Sequence, residues 1–549
     1  MAAIFIIFSI VYLWATVLGL RYYTHMLQLS SYQFQGYFRF LKTIVTKYGL
    51  HAGAAATLIG AGLFECMEPL EGIDMHRTAA ACFILSAVFL VMMAIMYIPG
   101  KAKKKFVVTK RVQRLFITYA ALFVIFVLVA VCCSAASSGG KEGKFAVAAV
   151  FAAVYIGLLP LVVALSNLIN KPVENRINRY YIDDAKRILN EHSGLRIIGV
   201  TGSYGKTSVK YYLTTLLSEK YRVLMTPESY NTPMGIVRTI REKLMPTHEI
   251  FVCEMGARHL HDIKEITDIV HPDDGILTSI GYQHLETFHS LENIVSTKYE
   301  LLDAVDEKEK AENAGKGKHL KFANGDNEII RENMKYSDAI TYGVSEGCDY
   351  KVSDISVTGA GTTFNVTSPE GETSEFSTKL VGRHNVENIA GAIAVAASFG
   401  VPMNKLRMAV RRIQPVPHRL ELVRHGAVSI LDDAYNSNPN GAKVALETLA
   451  LFENSVKVLV TPGMVELGAK EDEYNEAFGK QAAEVCDYII LVGEKQTHAI
   501  KKGVLGAGFA EDKLFVKNSL TEATQLMYEL EAGREKVILL ENDLPDNYT

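Results

Sequence analysis

The chain has 549 residues and a formal net charge of −3. That length is too great for one domain and suggests roughly three or four, and the near-neutral charge carries no global signal for nucleic acid. The first 170 residues are dominated by Ala, Val, Ile, Leu and Phe, whereas most of the charge lies beyond Lys171. That asymmetry reads as a membrane part followed by a soluble part.

Five apolar stretches stand out, at approximately 3–20, 52–64, 78–99, 115–135 and 145–169. A helix needs about 20 residues to cross the hydrocarbon. Four stretches meet that length; the second does so only by borrowing residues before His51. The first is not a signal peptide, because no positive charge precedes it and further spans follow. The loop after the third stretch carries Lys101, Lys103, Lys104, Lys105, Lys110, Arg111 and Arg114 without an acid, which places it in the cytoplasm. The loop after the second carries Glu65, Glu68, Glu71 and Asp74 against Arg77, which suits the outside. Alternation then puts Arg21, Arg39, Lys42 and Lys47 inside, together with everything after Ile169, where Lys171, Arg176 and Arg179 follow at once. Five spans with the N-terminus outside satisfy every loop. No ionisable residue lies centrally in the third or fourth stretch, so the bundle reads as an anchor or lipid-substrate platform rather than a transporter. The seven cysteines form no CxxC pair, which argues against a zinc ribbon and for small buried hydrophobes in a reducing compartment.

In the soluble part, residues 195–200 read as a short buried strand. Thr201-Gly202-Ser203-Tyr204-Gly205-Lys206-Thr207-Ser208 follows directly, and 209–220 then read as a helix with apolar Val209, Tyr212, Leu213, Leu216 and Leu217. Strand, Gly-rich loop and helix form the setting of a phosphate-binding loop. Backbone N–H groups and the helix N-terminus cradle phosphate oxygens, Lys206 supplies a point charge and Thr207 offers a hydroxyl to Mg²⁺. The general pattern has Gly where Val200 stands, and an ordinary Gly-rich turn is the competing reading. A second strand, 249–253, ends at Glu254. A carboxylate at the carboxyl end of a parallel strand faces the ligand crevice, although Glu254 alone reads equally as a helix-capping acid. A third strand, 276–280, leads to His284. Alone, His284 reads as structural and Lys298, on the next helix, as a solvated surface lysine.

Several stretches together resemble the Mur ligases, most closely the MurF branch, which adds D-alanyl-D-alanine to a cell-wall precursor peptide. They are TGSYGKTS at Thr201, YNTPMGIVRTI at Tyr230, EMGARHLHDI at Glu254, TSIGYQHLETFHSLENI at Thr278 with Lys298 after it, GRHNVENIAGAIAVA at Gly382 and DDAYNSNPNGAKVAL at Asp432. They stand in family order over roughly residues 190 to 545. The resemblance implies that Gly202, Ser203, Gly205, Lys206, Thr207 and Ser208 hold the ATP phosphates. It implies that Glu254 and Thr207 serve one Mg²⁺, and that His284 and a carbamylated Lys298 serve a second. A carbamate is a hard oxygen ligand where an ammonium is none. It also implies that His384, Asn385 and Asn388 surround the adenine, and that Arg419 and Asp433 reach ATP from the C-terminal domain. The family usually has Gly where His418 stands.

From about His418 the pattern restarts. Strands at 428–432, 456–461, 488–492 and 536–540 and a helix at 440–452 argue a second, Rossmann-like unit. The resemblance implies that this unit binds the incoming amine and closes on the ATP domain, excluding water from an acyl phosphate. Soluble members carry an N-terminal domain that holds a uridine nucleotide. Here apolar stretches occupy that position, so a UDP-linked and a lipid-linked carboxylate acceptor are both open.

The expected architecture is an N-terminal transmembrane helix bundle (1–170), an α/β P-loop Mur-ligase central domain (171–415) and a Rossmann-like C-terminal domain (416–549). The expected activity is ATP-dependent amide-bond formation through an acyl phosphate in peptidoglycan precursor synthesis, with an amino acid or dipeptide as amine donor, at the cell membrane and with the catalytic domains cytoplasmic. The alternatives are a membrane-tethered ligase making another peptide or a polyglutamate, and a non-catalytic nucleotide-binding scaffold. No second P-loop supports an ATP-driven transporter.

Overall fold

The computed structural model describes residues 2–43, 45–67, 74–98, 105–137, 140–228, 230–312, 318–358, 361–434, 438–465, 467–531 and 533–543. Lys101, Lys103 and Lys104 of the basic loop, Glu68 and Glu71 of the acidic loop, the Lys47 and Glu286 side chains, and Tyr435, Asn436 and Ser437 lie outside the described residues. The chain forms two units, one up to Arg179 and the other from Tyr180. The boundary falls about ten residues beyond the expected one because it lies inside a helix, Leu159–Glu191, and not in a linker.

The first unit is helical. Among the described residues three of its helices are long and apolar enough to cross a membrane: Ile6–Leu29, Met75–Met96 and Lys110–Ala136. The second apolar stretch does extend before His51, as a 22-residue helix from Val45 to Cys66. The fifth stretch is apolar up to Leu165 but is two helices, Gly140–Gly157 and Leu159–Glu191, bent by 69°. His51 sits at this break. Its Nδ1–H donates to the Ile156 carbonyl (2.8 Å), and Nε2 lies 2.6 Å from the Tyr97 hydroxyl and 3.0 Å from that of Tyr23. A side chain thus supplies a partner to a backbone carbonyl at the break. Aromatic and aliphatic side chains such as Tyr23, Tyr37, Leu90, Met93 and Ile156 fill the interior, while Ile84, Val88, Ile95, Ile117, Ile125 and Leu128 face outward.

The second unit is built on two sheets. The strands are β1 (Arg196–Thr201), β2 (Val223–Met225), β3 (Ile250–Glu254), β4 (Asp274–Leu277), β5 (Lys321–Asn324), β6 (Ile340–Gly343), β7 (Tyr350–Thr358), β8 (Gly361–Thr367) and β9 (Thr373–Thr378), then β10 (Glu421–His425), β11 (Val428–Asp433), β12 (Val456–Thr461), β13 (Tyr488–Val492), β14 (Leu514–Lys517) and β15 (Lys536–Glu541). The first sheet has the order β2-β3-β1-β4-β5-β6-β7-β8-β9 and is parallel up to β7, with an antiparallel meander at β7 to β9. Its central strands are apolar runs buried on both faces, as a helix-covered parallel sheet requires. One face packs Val209, Leu213 and Leu216 with Ile389 and Ile393. The other packs Ile197, Phe251, Ile266 and Leu301. The second sheet, β10-β11-β15-β12-β13-β14, is parallel except for the edge strand β10.

Register sets the site. Glu254, the last residue of β3, pairs with Val200 of β1, and Thr201 pairs with Leu277 of β4. The chemistry-bearing residues therefore leave the sheet at one edge, the carboxyl ends of three adjacent strands.

Candidate active site

Between β1 and the helix Lys206–Leu217 the chain turns through Gly202 (φ 154°) and Gly205 (φ 76°). Gly205 caps that helix without a side chain, so the helix N-terminus, with its unsatisfied N–H groups and positive dipole end, is left open to an anion. The loop is tied to the segment after β4. Ser203 N donates to Ser279 O (2.6 Å), Tyr204 N to Ser279 Oγ (2.9 Å), and Ser203 Oγ to Gly281 O (3.1 Å). Lys206 folds back over the loop, its Nζ 2.6 Å from Gly202 O and 3.0 Å from Ser203 O. Burial lowers its pKa to about 8; Glu254 opposes that shift and Arg419 adds to it.

Thr207 Oγ1 donates to Glu254 Oε1 (3.1 Å), as does Asn231 Nδ2 (3.1 Å). Lys210, one turn beyond Lys206, places Nζ 2.9 Å from Glu254 Oε2, and both side chains are buried, at 0% and 1% exposure. Burial alone would favour the protonated carboxyl, but Lys210 and Lys206 outweigh it and hold Glu254 below the usual carboxylate range.

Lys298 is buried, not solvated. Its helix, Leu291–Ala311, lies close to the sheet because Gly199 and Gly275 have no side chains: a Cβ on Gly199 would come within 2.4 Å of Leu301. Leu301 and Leu302 cover β1 and β4, and Lys298 stands on the same face one turn earlier. Its ammonium has no hydrogen-bond or ion-pair partner among the described residues. Burial first, then the charge of Lys206, pushes its pKa well below the ordinary lysine value. His284 takes a left-handed backbone (φ 53°) before the short helix Leu285–Phe288.

On the helix Arg383–Ser398, Asn388 lies against the loop, its Oδ1 within 2.4 Å of where a Gly205 Cβ would be. Burial lowers the His384 pKa to about 4, and its buried Nδ1 has no hydrogen-bond partner among the described residues. Asn385 is committed on both sides, accepting from Tyr212 OH (2.8 Å) and donating to Val381 O (3.0 Å); it braces this helix to Lys206–Leu217. Ser208 sits beside Tyr212 in the same helix.

In the turn before β10 of the second sheet, Arg419 comes close enough to Lys206 to depress its proton affinity. His418 (φ 59°) and Leu420 (φ 49°) flank it in left-handed conformations. The first explains why glycine suits this position; here His418 Nδ1 lies 2.7 Å from Asp432 Oδ2. Asp433 Oδ1 accepts from Leu420 N (3.1 Å), and burial raises its pKa against the pull of Arg419. Tyr204 adds a contact that motif reading missed. Its hydroxyl donates to Tyr282 O (3.2 Å), and the Tyr282 and Tyr474 rings lie 6.3 Å apart.

Of the expected residues, Gly202, Ser203, Gly205, Lys206, Thr207, Ser208, Glu254, Lys298, Asn388, Arg419 and Asp433 converge on this edge. The Thr207 hydroxyl and Glu254 carboxylate are hard oxygen donors suited to Mg²⁺. Thr207 spends its proton on Glu254, which leaves its lone pairs for a cation. Among the described residues no group of three or more His, Cys, Asp and Glu side chains could hold a metal ion.

Family models describe the same region: a Mur ligase middle domain matches residues 200–396 and a Mur ligase, glutamate ligase domain matches residues 418–541. The UDP-N-acetylmuramoyl-tripeptide--D-alanyl-D-alanine ligase of Bacillus subtilis (strain 168) is 30% identical over 356 residues, 64% of this chain and 72% of the relative. The Escherichia coli (strain K12) enzyme of that name is 28% identical, over 63% of this chain and 76% of its own length. Among solved structures, MurF from Acinetobacter baumannii superposes with a TM-score of 0.59 at 25% identity, covering 68% of this chain and 78% of the other. MurF ligase from Thermotoga maritima in complex with ADP gives 0.58 at 25%, covering 67% and 80%.

Proposed function

Because the chain belongs to the Mur ligase family and is an ATP-dependent ligase, we propose that it joins an amino acid or dipeptide, D-alanyl-D-alanine being the first candidate, to the carboxylate of a cell-wall peptide precursor, at a membrane. The observation that carries the reading is the convergence of Lys206, Thr207, Glu254, Lys298 and Arg419 on the carboxyl ends of β1, β3 and β4.

In the reaction, a carboxylate oxygen of the acceptor attacks the γ-phosphorus of ATP. The bond to the β,γ-bridging oxygen breaks and ADP leaves. The amine then attacks the acyl carbon, loses a proton and expels phosphate. Lys206 and Arg419 spread the charge of the transferring phosphoryl group. The open helix N-terminus at Lys206 to Ser208 receives phosphate oxygens, and Asn388 and His384 line the approach on the nucleotide side. Thr207 and Glu254 would hold Mg²⁺, which supplies electrostatic stabilisation of the phosphate oxygens. A carbamate on Lys298, formed by its neutral amine and CO₂, would hold a second.

Among the described residues three helices of the first unit, or four if the bent pair is one span, are long and apolar enough to cross a membrane, which favours a multi-pass anchor; the five spans and the cytoplasmic catalytic unit rest on the loop charges. The outward apolar faces of these helices, at Ile84, Val88, Ile117 and Leu128 among others, favour a second reading of the acceptor, a lipid-linked precursor. The test is full-length protein in detergent with ATP and either UDP-linked or lipid-linked tripeptide precursor plus D-alanyl-D-alanine, with mass spectrometry of the product. An amide product with matching ADP and phosphate is expected, and Lys206→Ala should abolish it. ATP consumption without any amide product, or turnover unchanged in Lys206→Ala, would sink the reading.

A further inference from the structure

Three lysines, Lys206, Lys210 and Lys298, surround one carboxylate, Glu254, and they are not equivalent. Lys206 spends its ammonium on the loop carbonyls of Gly202 and Ser203. Lys298 has no partner among the described residues. Lys210 alone makes a direct ion pair, 2.9 Å from Glu254 Oε2, with both groups shut away from solvent. With Thr207 and Glu254 read as the metal ligands, the reaction leaves Lys210 without a task, and a role for it depends on that reading.

The geometry divides the carboxylate in two. Oε1 takes the Thr207 hydroxyl and the Asn231 amide, each at 3.1 Å. Oε2 accepts no hydrogen bond among the described residues, and its contact is the ion pair with Lys210. Lys210 is in turn fixed, donating to the Glu228 carbonyl at 2.5 Å in the loop after β2, where Glu228 has a left-handed backbone (φ 42°). An ammonium tethered to a backbone carbonyl and 2.9 Å from Oε2 keeps a positive charge at one fixed place beside the carboxylate, and that charge restrains the plane of Glu254. We propose that Lys210 is a positioning residue for the metal: it holds Oε2 and thereby turns Oε1 toward Thr207, so that Glu254 presents one oxygen to Mg²⁺ in a fixed orientation.

A purely structural lysine would only neutralise a buried charge, and removing it would cost stability without a selective effect on metal binding. The experiment titrates Mg²⁺ against binding of a fluorescent ATP analogue to the full-length protein in detergent, and repeats the nucleotide titration in EDTA. Loss of an outer partner of a metal ligand weakens metal affinity by ~10–100-fold. Lys210→Met, of similar length and without charge, is therefore expected to raise the Mg²⁺ midpoint at least about tenfold while leaving metal-free nucleotide binding within about twofold. Lys210→Gln, whose amide still reaches Oε2 as a donor, should fall between. A folded Lys210→Met with the wild-type midpoint, or one that weakens binding equally with and without Mg²⁺, overturns the proposal. If Lys210→Met does not fold, an unchanged midpoint in Lys210→Gln overturns it and a raised one supports it. Glu254→Gln separates the underlying reading: if it leaves the Mg²⁺ midpoint unchanged, Glu254 is not a metal ligand, whatever Lys210 does.

Discussion

Gly205 and Asn388 stand face to face across the phosphate loop: a Cβ on Gly205 would lie 2.4 Å from Asn388 Oδ1, and Gly205 itself is at φ 76°. Two separate constraints therefore exclude a side chain here, one of backbone conformation and one of space. The left-handed conformation costs an ordinary residue about 1–2 kcal/mol. Gly205→Ala is expected to lower ATP turnover by about 100-fold while the protein remains folded. Asn388→Ala added to it should relieve the contact but not the conformation, so ATP binding in the double variant should recover only in part. Normal ATP binding in the single variant refutes the loop geometry.

Lys298 is expected to carry a carbamate in the active enzyme. Its burial and its neighbour Lys206 favour the uncharged amine, the form that CO₂ adds to. Lys298→Ala should lose most activity, and short-chain carboxylates at high concentration should restore part of it by filling the oxygen-ligand position. Isotope-labelled bicarbonate should give a carbamate carbon signal in the wild type that is missing from the variant. Full activity in Lys298→Ala, or the same signal in both proteins, excludes the modification.

Glu387, beside Asn388, gives a pH signature. Burial, and then the charge of Asp326, raises its pKa to about 7, above the unfolded value of about 4.3. Between these values the folded state holds the extra proton, so its contribution to stability falls as pH rises toward 7 and stays unfavourable above it. Glu387→Gln removes the penalty. Without nucleotide, its Tm should exceed that of the wild type by a few degrees at pH 8 and differ little at pH 5. A Tm difference that is the same at both pH values contradicts the shift.

Charge on the loops fixes an orientation for the first unit. Engineered cysteines near Lys104 should resist membrane-impermeant labelling of intact cells, and those near Glu71 should react. The reverse pattern would overturn the five-span topology with a cytoplasmic catalytic unit.

The phosphate loop and its neighbours were legible because strand, glycines and helix occupy one continuous stretch, and because β3 is an unbroken apolar run up to Glu254. Lys210 was not legible. On an amphipathic helix a lysine between Val209 and Tyr211 reads as solvent-facing, and only the register of β3 against β1 brings Glu254 to it. The burial of Lys298 was equally hidden, since it depends on Gly199 and Gly275 admitting a helix that starts about 90 residues after Gly199. The bend after Gly157 lies within a uniformly apolar run, and the His51 ring that serves the Ile156 carbonyl is about 105 residues away. The meander of β7 to β9 escaped because its alternating half-buried pattern is weak beside the apolar strands before it.

Lys206 follows β1 of the first sheet and Arg419 precedes β10 of the second, yet the charge of Arg419 reaches Lys206. Two like charges drawn together by folding repel, and a polyphosphate lying between them converts that repulsion into attraction. On the proposed function, nucleotide affinity and the approach of the two halves of the catalytic unit would be a single linked equilibrium, each strengthening the other by the same factor. The same linkage times release. On that reading, once the terminal phosphoryl group has moved to the acceptor and left as phosphate, ADP would have less negative charge to share with Arg419, and the halves would separate more readily with the product than with the substrate.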